Sequence, residues 1–575
     1  MRLDPAGRRP LEELDEVDLI VLGSGAGGLS AALTGVLEGM RVALLDHAPV
    51  LGGTTARSSG TAWIPDNRLM RAAGFPEDRE PAQAYLQALV GTKGSTRPWE
   101  TFLDLAPRMQ ADLEDRAGIL FRPYLRAPDY RSNLPGAASG GRALEPAAFD
   151  GRLLGGWFAL LAPPLAELTV LGGMMLTRAE AQRLIRAERS ARAMQEGARL
   201  LVRHLRDRWH HPRGTRLVMG NALVARMLHA FLMRGGMAWE NAHTQRIETA
   251  AGRVAGVSGS AEGRAFHLKA RRGIVLAGGG FPADPEAGAQ QLPPTASGHT
   301  VASPFARGKT IRLGLQAGGQ LGPSVGTNGF WFPSSLMVRP GGGLAVYPHI
   351  ALDRAKPGSL IVDRTGRRFA NEAASYHDFG EAMHARGRDA LPCWMIADAA
   401  FIRRYGFGLI RPRTRRLGPY LAAGYLKRGE DVADLALRLG LEPERLRATI
   451  KDFNALAGRG KDEDFGRGES AYERSNGDEG RELANPCLAE IGPGPLFALA
   501  LWPTPLATAR GLACGEAGQV LDGSGIAIPG LYAAGNDMQS VFAGEYPGAG
   551  AQIGPAMTFG WAAARHAARQ EEMAE

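Results

Sequence analysis

Three glycines at fixed spacing carry the first chemistry legible in this chain. Gly23, Gly25 and Gly28 stand in Gly23-Ser24-Gly25-Ala26-Gly27-Gly28. In this G-x-G-x-x-G pattern the first glycine permits a tight turn, the second a bare backbone against a pyrophosphate, and the third close packing of a helix. The free N–H groups of Ser24, Ala26 and their neighbours at the start of that helix favour an anion. Further on, Asp46 has the position of a carboxylate that accepts hydrogen bonds from ribose hydroxyls; its plain alternative is a solvated acid at a strand end. The cysteines Cys393, Cys487 and Cys514 are far apart and odd in number. They have no metal-ligand spacing, so neither a disulfide framework nor a metal site is expected.

The glycines need elements to hold them. Val17-Asp18-Leu19-Ile20-Val21-Leu22 reads as a buried strand, and Leu29, Leu33, Val36, Leu37 and Met40 share one face of a following helix. Arg41-Val42-Ala43-Leu44-Leu45 is a second strand ending at Asp46. A lone G-x-G-x-x-G is weak evidence; a complete βαβ unit in register with a terminal acid predicts a dinucleotide site. Residues 273–281 form another strand ending in glycines, which returns the chain to that site through Ala277 and Gly278. Residues 336–505 change character and read as an insertion, after which Gly530 to Asn536 and Gly548-Ala549-Gly550 restore the earlier style. No second fingerprint follows residue 60 in a strand-to-helix setting, so one dinucleotide is expected, FAD. The fold class is α/β: a Rossmann-like FAD-binding domain over residues 1–335, with a disordered tail at 1–16, completed by a C-terminal segment at 506–575. Residues 336–505 are expected as an inserted α+β catalytic domain.

Composition bounds the rest. The 575 residues are 45% hydrophobic and 22% charged, with a mean hydropathy of −0.16, values of an ordinary globular protein. The 77 glycines cluster at particular places without a short period, which excludes a collagen-like chain. The net charge of +8 is dispersed, and only seven of the 67 basic residues are lysine; no nucleic-acid signature accompanies it. The N-terminus has no apolar core of a signal peptide. The most apolar window, residues 153–175, is broken by Pro163, Pro164 and Glu167, which argues against a spanning helix. An arginine-rich helical stretch between 178 and 216 carries Arg183, Arg186, Arg189, Arg199, Arg203 and Arg206 among Leu184, Met194, Leu200, Leu201 and Leu205. It reads as the solvated face of an amphipathic helix or as a peripheral contact to an anionic membrane.

Beyond these patterns the residues match a family. The glycine fingerprint, Gly52-Gly53-Thr54-Thr55-Ala56-Arg57-Ser58-Ser59-Gly60, Gly530 to Asn536, and Tyr546-Pro547-Gly548-Ala549-Gly550 followed by Gly554-Pro555-Ala556-Met557 make the chain resemble the 3-ketosteroid Δ1-dehydrogenases. That family lies within the fumarate reductase and succinate dehydrogenase flavoprotein group. The Tyr-Pro-Gly-Ala-Gly stretch is the specific part. Pro128-Asp129-Tyr130, and Arg368-Phe369-Ala370-Asn371-Glu372 leading to Tyr376-His377-Asp378-Phe379-Gly380, look like the family's tyrosine segments. The resemblance implies that Tyr376 takes the C2 proton, Tyr130 supports it, Tyr546 and the Gly550 N–H hold the C3 oxygen, and the C1 hydride goes to flavin N5. It implies a noncovalent FAD held by Gly23, Ser24, Gly25, Ala26, Gly28, Asp46, Gly53, Thr54, Thr55, Ser59, Gly60, Ala277, Gly278, Gly535, Asn536, Gly550 and Ile553. The roles are physically sound, because a developing enolate needs prepositioned donors and a phenolate needs hydrogen bonds. The chain departs from the family at Thr508-Ala509-Arg510-Gly511-Leu512 and in having Asp46 where glutamate is usual.

The expected activity is therefore FAD-dependent 1,2-desaturation of a steroid or similar apolar ketone, with an external electron acceptor for which a quinone is the candidate. A fumarate-reductase-like enzyme of small unsaturated carboxylates and a catalytically silent flavin- or sterol-binding protein are the competing readings. The expected location is cytoplasmic, with membrane association through the arginine-rich stretch as the open variant.

Overall fold

A run of aliphatic residues with no polar face can only be buried on both sides, and the first strand, Glu16–Leu22, is buried from Val17 onward. In the computed structural model, which describes residues 3–177, 180, 191–339, 341–350 and 353–570, it pairs in parallel with Val42–Leu45 on one side and Arg264–Leu276 on the other. The sheet continues to Met237–Trp239 at one edge and to Ala527–Ala533, then Gln519–Leu521, at the other. A strand from the far end of the chain thus lies two places from the first one. The helices Ala26–Leu37 and Ile553–Arg569 pack against each other so closely that a Cβ on Gly560 would lie 2.2 Å from the Gly27 carbonyl oxygen. Ser30 Oγ also donates to the Met557 carbonyl at 2.7 Å.

The second sheet is antiparallel, in the order Leu344–Pro348, Gly329–Val338, Leu496–Thr508, Cys393–Asp398, Ser359–Val362. It spans the chain from Gly329 to Thr508, somewhat wider than residues 336–505 at both ends. Separate apolar clusters support it, one around Phe379, Met383 and Leu499 and another around Leu435, Leu446 and Phe453.

The segment before the first strand differs from the expected disordered tail. Leu11 and Leu14 are buried, and Arg8 binds the Glu240 carboxylate through both terminal nitrogens. Its apolar residues are few but find the edge of the sheet, and that is enough to order it. In the arginine-rich stretch, Arg183, Leu184, Arg186 and Arg189 lie outside the described residues, and Ala191–Arg208 is a helix. Its inward face carries polar groups. His204 and Asp207 face the protein, His204 Nε2 on the Leu171 carbonyl and Asp207 on Thr215. Met194, Leu201, Val202 and Leu205 face outward, followed by Trp209 at 85% exposure. Among the described residues no helix is long and apolar enough to cross a membrane.

Candidate active site

The glycine turn is built as the spacing requires. Gly23 has φ 107°, and a Cβ on Gly28 would sit 1.8 Å from the Gly23 carbonyl oxygen, so only glycine lets the helix start this close to the strand. No side chain caps the helix at Gly25, which leaves its first turn to face an anion. Asp46 lies beside the turn, where its carboxylate accepts from the Ser24 N–H and hydroxyl and from the Ala48 N–H at 2.9 Å. The same Ser24 hydroxyl accepts from the Gly52 N–H at 2.7 Å, and Thr55 Oγ1 accepts from the Ala26 N–H at 2.9 Å. The Gly52 to Gly60 segment is thereby fastened to the fingerprint. Thr54 Oγ1 accepts from Ser303 N–H, and Ser59 lies exposed near Gly60.

Ala277 and Gly278 follow the strand Arg264–Leu276, and Gly535 and Asn536 follow Ala527–Ala533. Asp537, which sequence reasoning missed, ties the two ends together: its oxygens accept from the Gly278 and Gly280 N–H groups at 2.7 and 2.8 Å. Burial pushes this carboxyl above its usual range in spite of those donors. A cleft is bounded by Phe330, Thr508, Asn536, Gln539, Phe542 and Gln552, next to Ile553. A bare glycine turn and a helix start at which Gly25 offers no capping side chain are features FAD requires, and the residues fit it.

At Phe330 the cleft meets a cluster of phenols. Tyr376 is the first residue of the helix Tyr376–Ala385, which Ser375 caps by accepting from the Asp378 N–H. The Arg368 to Glu372 segment before it is fixed by buried charges, Arg368 being bidentate to Glu372 and also bonded to Asp462. Against the burial that would raise it, Arg368 and Arg467 hold the Glu372 carboxyl down at about 2. Tyr130 donates to the Tyr376 hydroxyl at 2.9 Å. The Tyr130 and Tyr546 rings stack at 5.5 Å, and Tyr376 meets Tyr546 edge-on at 5.4 Å. Phe332 lies against Tyr376, and Phe330 and His377 lie against Tyr546. Burial, then the neighbouring phenols, hold the Tyr376 hydroxyl well above the usual phenol range, and burial pushes Tyr546 up to about 12.

Gly550 has φ 98°, and a Cβ there would lie 2.5 Å from the Thr61 carbonyl oxygen. Its carbonyl accepts from the Trp63 N–H at 3.1 Å, while no hydrogen bond among the described residues consumes its own N–H. The three expected tyrosines are thus brought together, with Gly550 four residues from Tyr546 on the same loop. Tyr472 joins them, its ring 4.7 Å from that of Tyr130. Nothing in its local sequence marks it, since only the long-range fold brings the short helix Ala471–Asn476 here. Arranged this way, a phenol that accepts a hydrogen bond can take a proton, and a second phenol with a free backbone N–H can hold an oxyanion.

Comparisons with known proteins agree with this architecture. The profile of the FAD binding domain family matches residues 18–553. The chain is 34% identical to the 4-oxocyclohex-2-ene-1-carboxylate 5-dehydrogenase of Sinomonas cyclohexanicum, covering 96% of this chain and 94% of that protein. It is 33% identical to the 3-oxosteroid 1-dehydrogenase of Mycobacterium tuberculosis, covering 97% and 99%. The crystal structure of 3-ketosteroid delta1-dehydrogenase from Sterolibacterium denitrificans with 1,4-androstadiene-3,17-dione superposes with a TM-score of 0.89 at 33% identity, over 96% and 99% of the two chains.

Proposed function

The chain belongs to the FAD binding domain family, among its 3-oxosteroid 1-dehydrogenase relatives, and from that premise we propose that it desaturates the C1–C2 bond of a 3-ketosteroid. It is an FAD-dependent oxidoreductase acting on CH–CH groups. The packed set of Tyr130, Tyr376 and Tyr546, with a hydrogen bond between the first two, Tyr130 stacked on Tyr546 and Tyr376 edge-on to it, is the observation that carries the proposal.

In the proposed reaction the ketone oxygen rests on the Tyr546 hydroxyl and the Gly550 N–H. Polarising the carbonyl acidifies the adjacent C2–H, and the Tyr376 oxygen receives that proton while accepting the Tyr130 hydrogen bond. FAD, when bound, supplies the acceptor for the C1 hydride. Phe330, Phe332 and Tyr472 keep water from the developing enolate. Their aromatic surface suits an apolar ring system. The quinone class remains the proposed electron acceptor.

The similarity to the Sinomonas cyclohexanicum enzyme supports a second reading, in which the substrate is the monocyclic ketone 4-oxocyclohex-2-ene-1-carboxylate. One anaerobic experiment separates the two. Purified yellow protein is mixed with 3-keto-4-ene steroids or with 4-oxocyclohex-2-ene-1-carboxylate, and flavin absorbance is followed. Rapid bleaching by steroids is the expected result. Bleaching by the carboxylate alone transfers the assignment to the monocyclic ketone, and bleaching by neither removes both.

The helix Ala191–Arg208 supports one further partner. Outward Val202 and Leu205 beside Arg199 and Arg206 have the pattern of a helix lying on an anionic lipid surface.

A further inference from the structure

Beneath the phenol cluster lies a buried arginine for which the proposed chemistry has no use. Arg142 is 1% exposed. Its Nε and Nη2 donate to the two oxygens of Asp78 at 2.8 and 2.7 Å, Nη2 also to the Gly136 carbonyl, and Nη1 to Asp129. Asp129 precedes Tyr130 in the chain. Its other oxygen accepts from the Trp63 indole N–H at 2.9 Å; the Asp129 N–H donates to the Ala138 carbonyl at 3.0 Å, and the Ala138 N–H donates back to the Asp129 carboxylate at 2.9 Å. The Tyr130 N–H then donates to the Pro547 carbonyl at 3.0 Å, where the Tyr85 hydroxyl donates too at 2.7 Å. The Arg142 guanidinium lies 5.5 Å from the Tyr85 ring. On the other side Trp63 bonds through its own N–H to the Gly550 carbonyl, and a Cβ on Gly548 would lie 2.7 Å from the Trp63 ring and 3.1 Å from Asp129. Tyr130, the Tyr546–Pro547 segment and Gly550 are thus one, two and three hydrogen bonds, respectively, from a single guanidinium fork.

We propose that Arg142, acting through Asp129, is a positioning residue that sets the spacing of Tyr130 and of the Tyr546–Gly550 loop against Tyr376. The inference rests on the desaturase reading and concerns how that site is held. A fork is needed because two carboxylates on different segments must be bridged in one plane, which a lysine ammonium does not do.

Arg142→Lys in the FAD-loaded enzyme tests it. Expected is a fall of about 10²-fold in the rate of flavin reduction per bound flavin at saturating ketone, the size of effect that a displacement near 1 Å produces. KM for the ketone should change little, and reoxidation of dithionite-reduced enzyme should keep its wild-type rate. Wild-type flavin reduction per bound flavin overturns the proposal, whatever happens to thermal stability. If Arg142→Lys fails to hold FAD, Trp63→Phe decides, since it removes only the indole donor to Asp129. A slowing of about 10-fold supports the proposal, and an unchanged rate overturns it. Should the wild type itself bleach with no ketone, the desaturase reading falls separately. The crystal structure of the Trp63→Phe holoenzyme then decides the positioning claim: an altered Tyr130–Tyr376 hydroxyl distance upholds it, and an unmoved pair rejects it.

Discussion

Tyr376 accepts a hydrogen bond from Tyr130, while burial and then the neighbouring phenols keep its own proton bound well above the usual phenol range. The deprotonated fraction therefore grows about 10-fold per pH unit through the neutral range, because a group below its pKa loses its proton in proportion to hydroxide. Single-turnover flavin reduction at saturating ketone should rise with a slope near one in log rate from roughly pH 7 to pH 9, with no plateau in between. A plateau near neutrality would assign the base to another group, His377 being the adjacent candidate. Replacing Tyr376 with Phe should preserve ketone binding and slow flavin reduction by about 10²- to 10⁴-fold. The same variant should no longer wash deuterium from a C2-labelled steroid. Tyr546→Phe removes an oxyanion donor and should cost about 10²- to 10³-fold at unchanged FAD content; a wild-type rate would make that phenol structural.

Elements whose register is dictated by local pattern were legible without coordinates. Leu29, Leu33, Val36 and Leu37 announce the helix Ala26–Leu37, and the strand at 17–22 needs no tertiary information because every residue in it is apolar except Asp18. Tyr472 was not legible because it owes its place to a contact with the distant Tyr130, and Arg142 because its carboxylate partners Asp78 and Asp129 lie on separate segments that only the fold brings together. The arginine-rich helix was half legible: its basic residues were evident, but helical periodicity alone does not say which face meets the protein. His204 and Asp207 answer that by turning inward, leaving Val202 at 66% exposure and Leu205 at 57%. The pair Val202→Glu and Leu205→Glu should abolish flotation of the protein with vesicles rich in phosphatidylglycerol while leaving flavin reduction by dispersed ketone unaltered. Flotation unaffected by those changes would return the helix to an ordinary solvated role.

The whole molecule reads as one dinucleotide sheet interrupted by a second, antiparallel sheet, and the interruption was visible as a change of composition. Its limits were blurred because the strand at Gly329 begins among glycines and aromatics much like those preceding it. At this scale the cofactor itself can be tested. Acid precipitation should release FAD into the supernatant, and adding FAD to the apoprotein should raise Tm in a concentration-dependent way, since the ligand binds the folded state alone. Colour remaining in the precipitate would show a covalent bond. The arrangement of the cradle also fixes an order of events during biosynthesis. Ser30 of the first helix bonds to Met557, and Asp537 joins Gly278 to the Gly535 turn, so the fingerprint emerges from the ribosome more than five hundred residues before the partners that complete it. Until those partners are made the nascent chain carries half a nucleotide pocket, and flavin loading waits for the helix Ile553–Arg569 to leave the exit tunnel.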